Sequence, residues 1–224
     1  MIHEKLSRRT TLAGAALLLL AVDCQAQGPP EDHSCTVDFA VEYTQPYGKD
    51  GNNFNSGGGF QTGGGFEVWH PAEAGHRASL YLTANFLYTR LAATAGALAA
   101  AKSSDIMELA TATSARGSFY ATTFDPTFRY ALNRRTNLYL VGGFGWFRRG
   151  VEFKADGSAT LTESGAGTFG KADANSGVFD FGGGANFGLT RKGGPMLYAE
   201  ARVYRGLAIN NATTLLPLSV GVRW

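Results

Sequence analysis

SFYATTFDPTFRYAL, residues 118 to 132, carries the clearest period of two in the chain. Tyr120, Thr122, Phe124, Pro126, Phe128, Tyr130 and Leu132 share one face. Thr123, Asp125, Thr127 and Arg129 share the other. Alternation at this spacing is the pattern of a β-strand with one apolar and one polar side. The same period predicts strands around CTVDFAVEY, GFQTGGGFEVW, SLYLTANFLYT, NLYLVGGFGWFRRGVEF, VFDFGGGANFGLT, MLYAEARVY and LLPLSVGVRW. In the last, Leu216, Leu218, Val220, Val222 and Trp224 oppose Pro217, Ser219, Gly221 and Arg223.

The connections alternate in length. HPAEAGHR, NRRT and RKGGP are short, whereas Gln45 to Gly58, Leu91 to Arg116, Lys154 to Ser176 and Arg205 to Thr213 read as long loops. The Ala-rich stretch from Leu91 leaves room for a short helix, with Asp105 and Glu108 spaced as a capping box.

Composition narrows the class. Thirty glycines in 224 residues exceed the usual share of roughly 7%. A formal charge of +2 gives no electrostatic case for nucleic acid. Mean hydropathy of −0.10 is too low for a bundle of membrane helices.

The first 26 residues form a separate unit. Lys5, Arg8 and Arg9 precede an apolar run from Leu12 to Val22, and Cys24-Gln25-Ala26 offers a cleavage site before Gln27. This is the plan of a secretory signal peptide, too short in its apolar part to span a bilayer. SRRTTL leaves Sec and twin-arginine export open, and Asp23 argues against a lipoprotein box at Cys24. The expected organisation is a signal peptide at 1–26, a polar lead-in at 27–34 and one β-domain at 35–224. Cleavage would leave Cys35 as the lone cysteine, with no intrachain disulfide.

A period of two serves both a soluble barrel and a membrane barrel with its polar face inside. Three features favour the membrane. The polar face holds Asp38, Glu42, Glu67, Asp125, Asp180 and Glu200 with Arg129, Arg202 and Arg223, and almost no lysine. Arginine suits buried, geometrically fixed ion pairs, and glycines on this face relieve crowding in a narrow interior. Aromatics gather near strand ends, at Tyr43, Trp69, Tyr88, Tyr130, Tyr139, Trp146, Tyr198, Tyr204 and Trp224, as an interfacial girdle would. Long and short connections alternate, as in membrane barrels. Lipid supplies no hydrogen-bond partners, so no sheet edge can remain. The expected fold is therefore all-β: an eight-stranded antiparallel up-and-down transmembrane β-barrel. Its last strand should close against the first near Val37.

DPTFRYALNRRTNLYLVGGFGWFRRGVEF, LYAEARVY and LPLSVGVRW make the chain resemble the small outer-membrane β-barrels of Gram-negative bacteria, the OmpA/OmpX type often labelled porin-like. The resemblance implies an outer-membrane location among outer-membrane lipids and a monomer. It also implies insertion by the barrel-assembly machinery, which would read Leu218, Val220, Val222 and Trp224 as its signal. Family members usually end in Phe, where this chain has Trp224. No peptidoglycan-binding domain follows the barrel in this sequence.

The sequence assigns no catalytic, cofactor-binding or metal-binding residue. His70 and His76 flank Glu73 in a turn broken by Pro71, a spacing that matches no helical ligand pair. His33 lies ahead of the first strand. No G-x-S-x-G or C-x-x-C occurs. The expectation is a non-enzymatic, membrane-anchored scaffold whose loops act at the surface in envelope structure, adhesion or binding of an unidentified partner. Its lumen should be plugged, since eight strands enclose room for side chains only. Two alternatives stand beside it. A hairpin within Val151 to Gly170 would make ten strands and a narrow porin-like channel. The inverse packing would make a soluble, lipocalin-like binder.

Overall fold

A computed structural model describes residues 35–71, 77–103, 112–154, 168–189, 194–207 and 212–224, with backbone only for 168–173. The expected signal peptide and lead-in, with His33, Glu73, His76, Asp105 and Glu108, lie outside the described residues.

Among the described residues, eight strands close one antiparallel barrel in sequence order. They are β1 (Cys35–Tyr47), β2 (Gly57–Trp69), β3 (Ala78–Ala92), β4 (Ser114–Ala131), β5 (Thr136–Lys154), β6 (Thr168–Gly188), β7 (Met196–Gly206) and β8 (Thr214–Arg223). The strand expected last pairs with the strand expected first. Asp38 faces Arg223 and Val41 faces Val220 across that seam. Val37 N–H donates to the Trp224 carbonyl at 3.0 Å, and Trp224 N–H donates to the Val37 carbonyl at 2.8 Å. The terminal strand is ordered because both its edges are paired, to β7 and to β1. No described helix is long and apolar enough to cross a membrane.

Side-chain parity follows the alternation. On β4, Phe124 is 62% exposed and its neighbour Asp125 is 1% exposed. Phe144 and Phe181, each 66% exposed, and Val220 at 60% extend the same outward apolar band around the barrel. Inward positions hold Asp38, Gln61, Asn85, Thr123, Asp180, Asn186, Glu200, Arg202 and Ser219, all buried. Glycine permits this in a narrow interior. A Cβ on Gly143 would collide with the Asp125 carboxylate and the Phe124 carbonyl, and one on Gly184 would lie 2.6 Å from the Tyr139 hydroxyl.

Several sequence expectations need correction. Tyr139, Tyr198 and Tyr204 are not girdle residues; they are 3%, 1% and 1% exposed inside the barrel. Their parity decides this, since Tyr198 and Tyr204 share a face with Glu200 and Arg202. The remaining members point outward, with Tyr43, Trp69, Tyr130, Trp146 and Trp224 exposed. The loop expected from Lys154 to Ser176 is shorter, because β6 begins at Thr168 and Lys154 pairs with Thr168. No hairpin splits β5 from β6, so the ten-stranded alternative falls.

Loop Leu91 to Arg116 also shrinks at both ends. It carries a helix, Ala95–Lys102, whose N-cap is Thr94, the hydroxyl accepting from Ala97 N–H at 3.1 Å. A second, one-turn helix, Lys49–Asn53, follows β1. Cys35 is disulfide-bonded in the full-length chain.

Candidate functional site

The interior has two layers, and their order along the axis is informative. In the half nearer the short turns the lumen is polar and charged. Arg202 on β7 is its centre. The Nε and Nη2 atoms each donate to the Glu200 carboxylate at 3.0 Å, while Nη1 donates to Asp125 at 2.8 Å and Asp180 at 3.0 Å. Arg202 therefore ties β7 to β6 and to β4, which is not its neighbour in the sheet. Glu200 also accepts from Gln61 of β2 at 3.1 Å and from the Tyr139 hydroxyl at 2.9 Å. Asn85 and Thr123 donate to Asp125 at 2.6 and 2.9 Å.

A second knot sits beside it. Arg223 donates from Nε and Nη2 to Asp38 at 3.3 and 3.2 Å, and from Nη1 to Asn186 at 2.9 Å. Its guanidinium lies 4.5 Å from the Tyr198 ring centroid and 4.9 Å from that of Tyr139. Three lumen tyrosines missed by the sequence reading are thus aromatic platforms for arginine or hydrogen-bond donors to carboxylates. Tyr204 is the third, its ring centroid 5.8 Å from Arg202. The signal that finds them is parity with the charged residues.

Not every candidate charge joins these knots. Glu42 is buried and accepts from Thr44 at 2.9 Å, with no ion pair among the described residues. Glu67 lies at the short-turn end, accepting from Tyr81 Oη at 3.4 Å and facing His70 Nδ1 at 3.4 Å. Arg129 reaches Thr36 Oγ1 at 3.3 Å and stacks 3.7 Å from the Tyr81 ring centroid. No group of three or more metal-ligating side chains occurs among the described residues.

In the half nearer the long loops the interior turns apolar. Leu87, Leu91, Phe119, Ala121, Phe147, Val178, Tyr204 and Leu215 form one buried cluster, closed by Phe54. The exterior changes at the same level. On β4, Tyr120, Phe124, Pro126, Phe128 and Tyr130 present largely apolar side chains outward, with Thr122 among them, but Ser114 and Arg116 beyond them are exposed and polar while Ala115 and Phe119 turn inward. Arg90 on β3 and Glu152 on β5 pair at 3.8 Å on the same outer surface. The barrel is thus apolar outside and polar inside below Tyr88 and Tyr120, whose rings pack at 4.9 Å. Above them it has the ordinary arrangement of a protein in water. That inversion marks where the strands leave the lipid. From Tyr120 to Tyr130 the chain climbs about 24 Å at roughly 3.4 Å per residue and 45° tilt, matching an apolar band of about 25 Å.

At the long-loop rim, Asp50 is buried against Arg149, Oδ1 to Nη1 3.3 Å. Burial pushes its carboxyl above the usual range, and Arg149 opposes that rise without cancelling it. Beside this pair, Phe54, Ala97, Ala100, Ala115, Val151 and Phe153 line a cavity of about 230 Å³.

Comparison with known protein families finds no match, and neither does comparison with curated proteins. Solved structures do match. Neisserial surface protein A superposes with a TM-score of 0.55 at 15% identity, over 86% of this chain and 98% of that one. This chain has the fold of the small outer-membrane β-barrels. At that identity the likeness concerns the fold alone. The attachment invasion locus protein Ail of Yersinia pestis matches with a TM-score of 0.48 at 13% identity, over 87% of this chain and 100% of that one. The N-terminal β-barrel domain of Pseudomonas aeruginosa OprF matches with a TM-score of 0.37 at 12% identity, over 84% of this chain and 97% of that one. The outward apolar band has the position and polarity of the lipid-facing surface of such a barrel.

Proposed function

We propose that this protein is a non-conducting outer-membrane scaffold that holds its long-loop rim outside the cell for surface binding or envelope structure. The observation that carries this reading is the cross-lumen bonding of Arg202 to Asp125 and of Gln61 to Glu200, between strands that are not neighbours. Bonds of this kind fill the bore with fixed side chains. The apolar cluster capped by Phe54 adds a second, dry seal nearer the rim. Rigid scaffolds commonly use their loops for recognition, and the long-loop rim supports that role here.

Planar-bilayer recording tests the seal. The purified, refolded barrel should give no stepwise conductance above the bare bilayer at neutral pH. Reproducible single-channel steps that vanish on heat denaturation would support the narrow-channel reading instead.

The terminal strand gives a second test. We take Leu218, Val220, Val222 and Trp224 as the face read by the barrel-assembly machinery. Removing Trp224 also removes the reciprocal hydrogen bonds to Val37 at the closing seam. Insertion into outer-membrane fractions should fall several-fold, read as loss of the heat-modifiable folded band on gels. Trp224→Phe should insert as the natural chain does. Full insertion without Trp224 would make the terminal aromatic incidental.

A further inference from the structure

Three buried guanidiniums line the polar lumen, and they are not equivalent. Arg202 meets three carboxylates and Arg223 meets Asp38. Arg129 is as well buried, at 6% exposure, yet it forms no ion pair among the described residues. Its Nη2 donates to Thr36 Oγ1 at 3.3 Å, and its Nε has no partner among the described residues. The face of Tyr81 at 3.7 Å gives partial compensation. Arg223 lies near enough to add repulsion, which Asp38 offsets in part from a distance. The local carboxylates among the described residues are engaged elsewhere, Asp38 by Arg223 and Glu67 by Tyr81 and His70. A buried cation left in this state is costly unless something anionic reaches it.

There is space for that anion. Arg129 lines a cavity of about 280 Å³ at the short-turn end of the barrel, bounded by the ends of β2, β3, β4, β5 and β7. Arg77, Ser79 and Asn137 bring further donors to its wall, and Glu67 is the acidic residue there. The volume exceeds that of several waters, at about 30 Å³ each. We propose that this cavity is a binding site for a small oxyanion, phosphate or carboxylate, with the Arg129 guanidinium as its principal ligand. The planar fork suits two oxygens of one anion. Tyr81 covers one face of the guanidinium, so the ligand meets its edge. Glu67 opposes the anion and keeps affinity low. The site is separate from the loop rim and does not depend on the loops' role.

The test is titration of the refolded full barrel in a zwitterionic detergent with inorganic phosphate, ionic strength held constant with chloride, followed by calorimetry and phosphorus NMR line width. The expected result is saturable binding at one site. Arg129→Gln should weaken it by about tenfold or more, the loss of a charge-assisted bond pair. Arg129→Lys keeps the charge and loses the fork; it should weaken binding less, and it serves if the Gln variant does not fold. Glu67→Gln should tighten binding, a change that general damage to the barrel would not produce. Arg116→Gln, on the exposed exterior, should change nothing. No saturable binding by the natural chain overturns the proposal, as does equal affinity in the Arg129 variants. An equal loss in Arg116→Gln also overturns it, since it would mean surface screening alone.

Discussion

Arg202→Leu should lower the unfolding free energy of the refolded barrel by about 3–5 kcal/mol, the cost of stranding buried charge. The substitution removes bonds to Asp125, Asp180 and Glu200 together, each at 2.8–3.0 Å. The three carboxylates then face one another in a space where they are at most 5% exposed. Asp125→Leu should cost less, because Arg202 keeps two partners. Arg202→Lys should fall between, since an ammonium cannot hold Glu200 through two donors and reach both aspartates. Urea unfolding in phospholipid vesicles, followed by tryptophan emission, reads the difference. Unchanged stability in Arg202→Leu would mean that water, not protein, solvates these groups. The double variant Arg202→Leu with Asp180→Asn should recover part of the loss, as coupled neighbours do.

Phe124→Arg should cost about 2–4 kcal/mol in a bilayer, the range for a cation on the lipid face near the midplane. Phe124 is 62% exposed and lies within the Tyr120 to Tyr130 band. On a water-facing surface the same change would stay within about 0.5 kcal/mol. Its sign and size therefore separate a membrane barrel from the soluble, lipocalin-like alternative. Arg116, two turns of the alternation above Tyr120, already stands where a cation is comfortable. Ser118→Arg should accordingly be nearly neutral, and the pair of variants maps the edge of the lipid.

Much of the fold was legible because one rule governs the lipid-embedded part. Where Phe alternates with Asp, as in Phe124-Asp125 and Phe179-Asp180, the strand and its faces follow directly. Closure followed from the absence of hydrogen-bond partners in lipid, and it placed Trp224 against Val37. The rule fails where the strands leave the bilayer. Phe119, Phe147 and Leu215 are apolar and inward, which a single lipid-facing parity does not anticipate. Tyrosine is ambiguous for a different reason. Its ring suits an interface and its hydroxyl suits a lumen, so Tyr139 and Tyr198 needed the parity of Glu200 and Asn137 beside them to be placed. The start of β6 was hidden because its first residues are polar and Gly-containing, and their strand character comes from pairing with β5.

The candidate site was legible as a set and not as a geometry. Composition and parity gather Asp38, Asp125, Asp180, Glu200, Arg202 and Arg223 inside the barrel. Register alone decides that Arg202 takes three carboxylates, that Arg223 takes Asp38, and that Arg129 takes none among the described residues.

The central claim is that the even-numbered face of β4 touches lipid and the odd-numbered face does not. Single spin labels placed in turn along residues 119 to 130, in the barrel refolded into phospholipid vesicles, test it directly. Collision with oxygen, which concentrates in lipid, should peak at 120, 122, 124, 126, 128 and 130 and drop at the positions between them. Collision with a water-soluble nickel chelate should stay low across the even positions of the band. High nickel accessibility at positions 124 and 128 would place that face in water and contradict the account.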